Sequence, residues 1–420
     1  MSTDAPSQPQ SKSPKPKRIN LRRPDVMEQV KAQVLSHYRS DLVDQLRVSG
    51  EVTSERARIT IKLAKEFGFC YGVERCIDLA YAALKVFPDK PIYILGEIIH
   101  NPEVNDQIRD MGIRFLSGPN KVADIDDLGA DDIVIIPAFG TEVATLEKLK
   151  AKGCQFVDTT CGDVMSVWKR VRNYAKEEVT SIIHGKAYHE ETKATSSQAT
   201  SKNGHYLVVL TLEETDYVCD YIKNGGDKAE FLKKFEGAYS DGFDPDQHLK
   251  AVGVANQTTM MRNETEEVQR RIKAAIERKF GAAKVDSHFR FFDTICGATQ
   301  ERQDALDVLL QKPMDLLLVI GGYNSSNTAH LAEMGEGVLP TYFIKNAAEM
   351  AEASLIRHWN QHTNQVDETR DWLPDGTLTI GVTAGASCPN NLIEDVICRL
   401  LELRGSSAEE FLGKELEDRS

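Results

Sequence analysis

From Arg58 the chain alternates apolar and polar positions. Ile59, Ile61 and Leu63 fall on every second residue of "ARITIKLA", the period of a half-buried strand. Beyond it, short apolar runs at 92–95, 132–138, 180–185, 206–210, 250–256, 315–322, 341–344 and 378–385 predict further strands. Longer stretches with apolar residues at helical spacing, such as 102–111, 142–151, 164–177, 262–279 and 298–311, predict helices between them. Strands that alternate with helices imply an α/β protein with parallel sheets and helices packed on their faces. Upstream, residues 26–47 carry apolar positions at helical spacing and predict an N-terminal helix outside the main fold. Residues 223–248 read as a polar insertion and 405–420 as a polar tail.

Composition narrows the classes. The 420 residues carry a formal net charge of −13, which argues against broad nucleic-acid or membrane binding. An anionic ligand would have to be held by a local pocket against that field. No apolar run reaches the ~20 residues of a membrane span. The Ser/Pro/Lys-rich start, "MSTDAPSQPQSKSPKPKR", reads as a disordered tail without the apolar core of a secretory signal. The expected location is the cytoplasm, or the plastid stroma in a photosynthetic eukaryote.

Eight cysteines are present, with no CxxC pair and no Cys–His cluster at zinc-finger spacing. In a cytoplasmic chain they are not a disulfide framework. Three of them echo one another. "DTTCG" at 158–162 recurs as "DTICG" at 293–297, and "GFCYG" at 68–72 is a looser copy. Each follows a short apolar stretch and precedes a helical one, so Cys70, Cys161 and Cys296 each sit where a strand hands over to a helix. This predicts three similar αβ modules, at 58–150, 151–285 and 286–404, after an extension at 1–57. A helix start favours the thiolate, and converging thiolates select iron–sulfur clusters, zinc or copper(I). A four-iron cluster with three cysteines leaves one iron open as a Lewis acid. Spacing alone leaves three structural cysteines as an equal alternative. Cys76 stands apart: six residues after Cys70 on a helix places it roughly 9 Å along the axis, beyond the ~7 Å reach of a disulfide. It is expected to face the core.

Three strand ends are rich in glycine and hydroxyls: "NQTTM" (256–260), "GGYNSSN" (321–327) and "TAGASCPN" (383–390). Thr258, Ser325, Ser326, Asn327 and Ser387 there offer donors for a phosphate near helix starts; ordinary loop capping uses the same residues. His100 and His189 stand at two more strand ends, and Glu190 or Glu191 could deliver a proton if burial raises its pKa.

These segments occur in a recognisable order. "GFCYGVERC", "GEIIHNPEVN", "DTTCGDV", "HEETKAT", "QTT", "DTICGATQERQ", "NSSN" and "TAGASCP" resemble the 4-hydroxy-3-methylbut-2-enyl diphosphate reductase family over about residues 58–404. The extension and the 223–248 insertion look like its longer, cyanobacterial and plastid-type branch. The resemblance implies a trefoil of three αβ modules around a central [4Fe–4S] cluster held by Cys70, Cys161 and Cys296, with one iron open. It implies a diphosphate held by His100, His189, Ser325, Ser326, Asn327 and Ser387, with Thr258 near the substrate hydroxyl and Glu191, rather than Glu190, donating a proton. The implied reaction is a two-electron reductive dehydroxylation giving isopentenyl and dimethylallyl diphosphate. One departure stands out: many bacterial members carry His-Gly where this chain has Phe139-Gly140, and phenylalanine cannot donate to a phosphate.

Two other readings compete. A quinolinate synthase-like site also uses three cysteines but would want arginine or lysine clamps for carboxylates, where these loops offer hydroxyls and histidines. An iron–sulfur carrier would close its cluster with a fourth cysteine, and no other cysteine shares the strand-to-helix setting. With no GxGxxG fingerprint, electrons are expected from a separate protein such as a ferredoxin or flavodoxin.

Overall fold

The computed structural model describes residues 21–292 and 294–407. The expected tails at 1–20 and 408–420, and Asp293 of "DTICG", lie outside the described residues. Among the described residues no helix is long and apolar enough to cross a membrane.

Every strand and helix stretch named from the sequence forms, with ends shifted by a residue or two. The chain is α/β with small parallel sheets. One sheet places Arg114–Phe115, Ile92–Ile94, Ile133–Ile136 and Gln155–Asp158 side by side, all parallel. A second places Tyr206–Val209, Thr180–His184, Val252–Asn256 and Phe289–Phe291 side by side, again all parallel. A third runs Thr341–Ile344, Leu316–Ile320, Leu378–Ala384 and Ile59–Leu63 in parallel, with Glu51–Ser54 added antiparallel at its edge. The three four-strand patterns are equivalent. In each, the fourth strand from the outer edge carries a cysteine just beyond its carboxyl end, and in the first two sheets that strand follows the third one in the chain. The third sheet completes this pattern only by taking its fourth strand from the start of the chain.

That closure corrects the contiguous modules. Boundaries at 150 and 285 cut off Gln155–Asp158 and Phe289–Phe291 from the sheets that contain them, and Ile59–Leu63 pairs with Leu378–Ala384 rather than with Ile92–Ile94. A hydrophobic period shows that a strand exists; it does not say which backbone satisfies its hydrogen bonds.

The N-terminal segment is not outside the fold. It forms two helices, Pro24–Tyr38 and Asp41–Ser49, because Arg39 and Ser40 are extended and the Ser40 hydroxyl accepts a hydrogen bond from Val43 N at 2.9 Å. Val26, Val30 and Tyr38 join the core beneath the helix Tyr71–Val86. Leu42, Val43 and Leu46 pack under the third sheet with Leu392, Val396 and Leu400. The "polar insertion" is anchored too: Phe231, Phe235 and Phe243 are buried beside Leu207 and Val252. The hairpin of Leu355–Asn360 with Gln365–Arg370 had no clear sequence signal, since its burial is mostly partial or absent along both strands.

Because Leu46 is 1% exposed while Val48 is 87% exposed, Leu46→Ala is expected to lower unfolding free energy by about 2–5 kcal/mol. Val48→Ala should change it by less than about 0.5 kcal/mol. Equal urea midpoints for the two variants would show that this segment is not part of the cooperative core.

Candidate active site

Each of the three echoing cysteines caps a helix in extended backbone conformation: Cys70 before Tyr71–Val86, Cys161 before Gly162–Lys176 and Cys296 before Gly297–Leu310. All three line one cavity enclosing about 740 Å³ open to solvent. A methyl group on Gly72 would stand 2.7 Å from Cys161 Sγ and 3.8 Å from Cys70 Sγ, so glycine leaves the space between two thiols clear. Burial pushes the Cys161 thiol up and the Cys296 thiol up to about 12, and neighbouring charge on Cys70 adds to both. Thiolates crowded into one cavity repel one another, and a cation bound among them offsets that repulsion. The donor set and the cleared space fit a thiolate-bound metal centre. Cys76 takes no part: it is buried, with its Sγ 2.8 Å from Thr159 Oγ1.

Three arginines close these cysteine loops into a ring. Arg75, on the helix after Cys70, donates to the carbonyls of Thr159 and Thr160 at 3.1 and 3.2 Å, just before Cys161. Arg170, on the helix after Cys161, places its guanidinium 3.3 Å from the ring centre of Phe292, four residues before Cys296. Arg302, on the helix after Cys296, donates through Nε and Nη2 to the Gly68 carbonyl at 3.2 and 2.6 Å, two residues before Cys70. Each cysteine helix thus grips the loop that presents the next cysteine.

A second tier lies at the ends of the strands beside the cysteine strands. Thr258 follows Val252–Asn256, Ser387 follows Leu378–Ala384, and Phe139 follows Ile133–Ile136. A third tier follows the next strands inward: His100, His189 and Ser325–Asn327. The polar groups of the third tier are half satisfied in a directed way. His189 Nδ1 accepts from Glu191 N at 3.2 Å, which leaves the proton on Nε2, and Nε2 is buried without a partner. Asn327 Oδ1 accepts from Ala386 N at 2.8 Å, and its Nδ2 is left without a partner. Ser326 Oγ and His100 Nε2 are also buried and unpartnered. Ser387 Oγ donates to the His100 carbonyl at 3.2 Å and lies 3.4 Å from Ser325 Oγ. Buried polar atoms without partners are rare; several facing one cavity beside two helix N-termini fit an anion. Burial, then the charges of His100, Lys186 and Lys193, lowers the His189 pKa to about 3, so it is a neutral donor.

Glu191 is 3% exposed, and its carboxylate accepts from Thr258 N at 2.6 Å and from Thr258 Oγ1 at 3.0 Å. Burial raises its pKa to about 7 against those two bonds. Glu190 is exposed. The phenyl ring of Phe139 stacks on His100 at 4.8 Å and 5°, while His100 Nδ1 lies 2.9 Å from Glu97 Oε2.

The cavity therefore brings together all eleven residues singled out from the sequence. It also contains Asp163, Thr259 and Thr299, which the sequence reading passed over. Asp163 and Thr299 occupy the first turns of the cysteine helices, and that shared position was their available signal.

Fold and site together define an α/β protein with a thiol-lined centre facing a pocket of buried, unpartnered hydrogen-bonding groups. A family model described as LytB protein matches residues 61–401, and the chain belongs to that family. It is 46% identical over 386 residues to the 4-hydroxy-3-methylbut-2-enyl diphosphate reductase of Gloeobacter violaceus, covering 91% of this chain and 90% of that one. It is 47% identical over 378 residues to the enzyme of the same name from Thermosynechococcus vestitus, covering 90% and 92%. A solved structure of (E)-4-hydroxy-3-methyl-but-2-enyl diphosphate reductase, described as the terminal enzyme of the non-mevalonate pathway, matches with a TM-score of 0.50 at 28% identity, covering 81% of this chain and 99% of that one. The Plasmodium falciparum E-1-hydroxy-2-methyl-but-2-enyl-4-diphosphate reductase matches with a TM-score of 0.59 at 22% identity, over 86% and 99%, and bears on the fold alone.

Arg302→Met leaves the Gly68 carbonyl without its donors, so unfolding free energy should fall by about 1–3 kcal/mol. Arg302→Lys should recover only part of it, because an ammonium lacks the planar fork. An unchanged denaturation midpoint for the methionine variant would remove Arg302 from the ring.

Proposed function

We propose that this chain is a 4-hydroxy-3-methylbut-2-enyl diphosphate reductase. It converts the allylic alcohol diphosphate to isopentenyl and dimethylallyl diphosphate by replacing a hydroxyl with hydrogen. The observation that carries this reading is the coexistence in one cavity of three facing thiols, a set of unpartnered anion donors and a carboxyl poised near neutrality. The family assignment and the names of the relatives support it.

Cys70, Cys161 and Cys296 would hold an iron–sulfur cluster, read as [4Fe–4S] with one open iron, which when bound supplies electrons and a Lewis-acid site. The reaction consumes two electrons and two protons: one proton leaves with the hydroxyl as water and one goes to the allylic carbon. His189 Nε2, Asn327 Nδ2, Ser326 Oγ, Ser325, Ser387 and His100 bind the diphosphate and fix the alcohol end toward the thiol tier. Glu191 supplies the proton, and Thr258, bonded to it through both backbone and hydroxyl, carries the proton to the substrate oxygen. Raised to about 7, the Glu191 carboxyl is protonated in a useful fraction at neutral pH. Phe139 keeps the wall beside His100 apolar, so water does not compete for the donors there. Electrons come from a separate carrier protein of the ferredoxin or flavodoxin type.

Protein purified without oxygen is expected to be brown and to convert the hydroxymethylbutenyl diphosphate when reduced. Cys161→Ser should lose the colour and the activity. Colourless wild-type protein with full activity would overturn the cluster. Glu191→Gln should reduce turnover by about 10²-fold or more with the visible spectrum intact. Because the protonated form of Glu191 is the donor and predominates below about pH 7, wild-type turnover should fall as pH rises through that value. Turnover flat from pH 6 to 9 would remove Glu191 as the donor.

A further inference from the structure

The anion-binding tier offers hydrogen bonds but little charge. Among the described residues that line the cavity, none is a lysine or arginine. His189 is held neutral, and the carboxylates of Glu97 and Glu190 stand close by, Glu97 on His100 and Glu190 directly after His189. The chain as a whole carries −13. A diphosphate entering this site would meet a field of its own sign unless a cation offsets it.

One cation is placed to do so. A second chamber adjoins the cavity and shares His100, His189, Ser325 and Ser326 with it. The only lysine or arginine among the described residues lining that chamber is Lys186. Its backbone is fixed: Lys186 N donates to Gln257 Oε1 at 3.1 Å, and its carbonyl accepts from His189 N at 3.0 Å, closing the turn that leads to His189. Its side chain is half-buried, yet among the described residues its ammonium has no ion pair and no hydrogen bond. Glu333 is the acidic group it feels, and that carboxylate is engaged with His330 at 3.4 Å. Burial lowers the Lys186 pKa, which is the cost of a half-buried ammonium that lacks a counter-ion. A lysine is the residue type that offers a mobile point charge to phosphate.

We infer that Lys186 is the cationic contact of the diphosphate, reaching it from the outer chamber and supplying the charge that the neutral donors of His189, Ser326 and Asn327 lack. This rests on the diphosphate reading of the cavity. Lys186 is therefore a substrate-affinity residue: it acts on the non-reacting end of the ligand, and its loss should fall on KM more than on kcat.

The test uses the cluster-loaded protein and inorganic pyrophosphate, with binding followed by calorimetry and by the fluorescence of Trp359, which lines the same chamber. Lys186→Met should weaken pyrophosphate binding by about tenfold or more, flatten the dependence of affinity on ionic strength, and raise KM by a similar factor. Lys186→Arg should restore most of both. Asn327→Ala serves as the reference loss in the neutral tier. If wild type and Lys186→Met bind pyrophosphate equally while Asn327→Ala does not, Lys186 has no such role and the diphosphate reading stands. If wild type neither binds pyrophosphate nor turns over the allylic diphosphate, the reading of the cavity falls and the assignment of Lys186 falls with it. An unchanged visible spectrum in each variant separates these outcomes from loss of the centre.

Discussion

Three thiols can face one another only if three separate chain segments end at one point. Parallel strands meet that demand, because every strand in such a sheet delivers its carboxyl end to the same edge, where a helix begins. Here three sheets repeat one strand pattern, and the cysteine loop follows the same strand in each. Position in the pattern then sets chemistry. The cysteine strands supply the thiols, the next strands supply Thr258, Ser387 and Phe139, and the third supply His189, His100 and the Ser325–Asn327 turn. The arginines at 75, 170 and 302 couple each helix to the next cysteine loop. The thiol tier is held by the protein's own bonds as well as by anything the thiols bind.

Desolvation does two different jobs a few residues apart. At His189 it strips the proton from the imidazole and leaves a neutral donor with its tautomer fixed by Glu191 N. At Glu191 it works the other way and keeps a proton on the carboxyl near neutral pH, despite two hydrogen bonds that favour the anion. Both follow from the same penalty on buried charge. The helix that starts at Glu190 places them side by side, His189 as its cap and Glu191 in its first turn. A donor for a phosphate and a donor for a carbon or oxygen centre can thus come from one turn of backbone.

Much of the site was legible because it sits in short motifs at strand ends. The echo of "DTTCG" and "DTICG" marked equivalent backbone positions, and "NSSN" and "HEET" marked helix starts. What the motifs could not show was partnership. Glu191 differs from Glu190 only by facing inward, toward Thr258, a residue 67 positions away. Lys186 carries no motif of its own, and it matters through its position beside the chamber and its lack of a counter-ion. The docking of the N-terminal helices and of the segment from 223 to 248 is hidden from the sequence for a related reason. Their sequences are polar on average, and a few buried side chains, Leu42, Val43, Leu46, Phe231, Phe235 and Phe243, decide where they dock.

The sequence by itself determined the local elements, the three cysteine positions at strand-to-helix junctions, the separation of Cys70 from Cys76 and the set of side chains able to bind an anion. Those are properties of period, spacing and residue type, all short in range. Only the tertiary structure decided which strands share a sheet, and in particular that Ile59–Leu63 closes the sheet of Leu316–Ile320 and Leu378–Ala384 across more than 250 residues of chain. It alone decided which polar atoms are left unpartnered in the cavity, and that burial would favour the protonated carboxyl of Glu191 and the neutral imidazole of His189. Strand pairing and desolvation depend on what lies nearby in space, and in this fold those neighbours come from far along the chain.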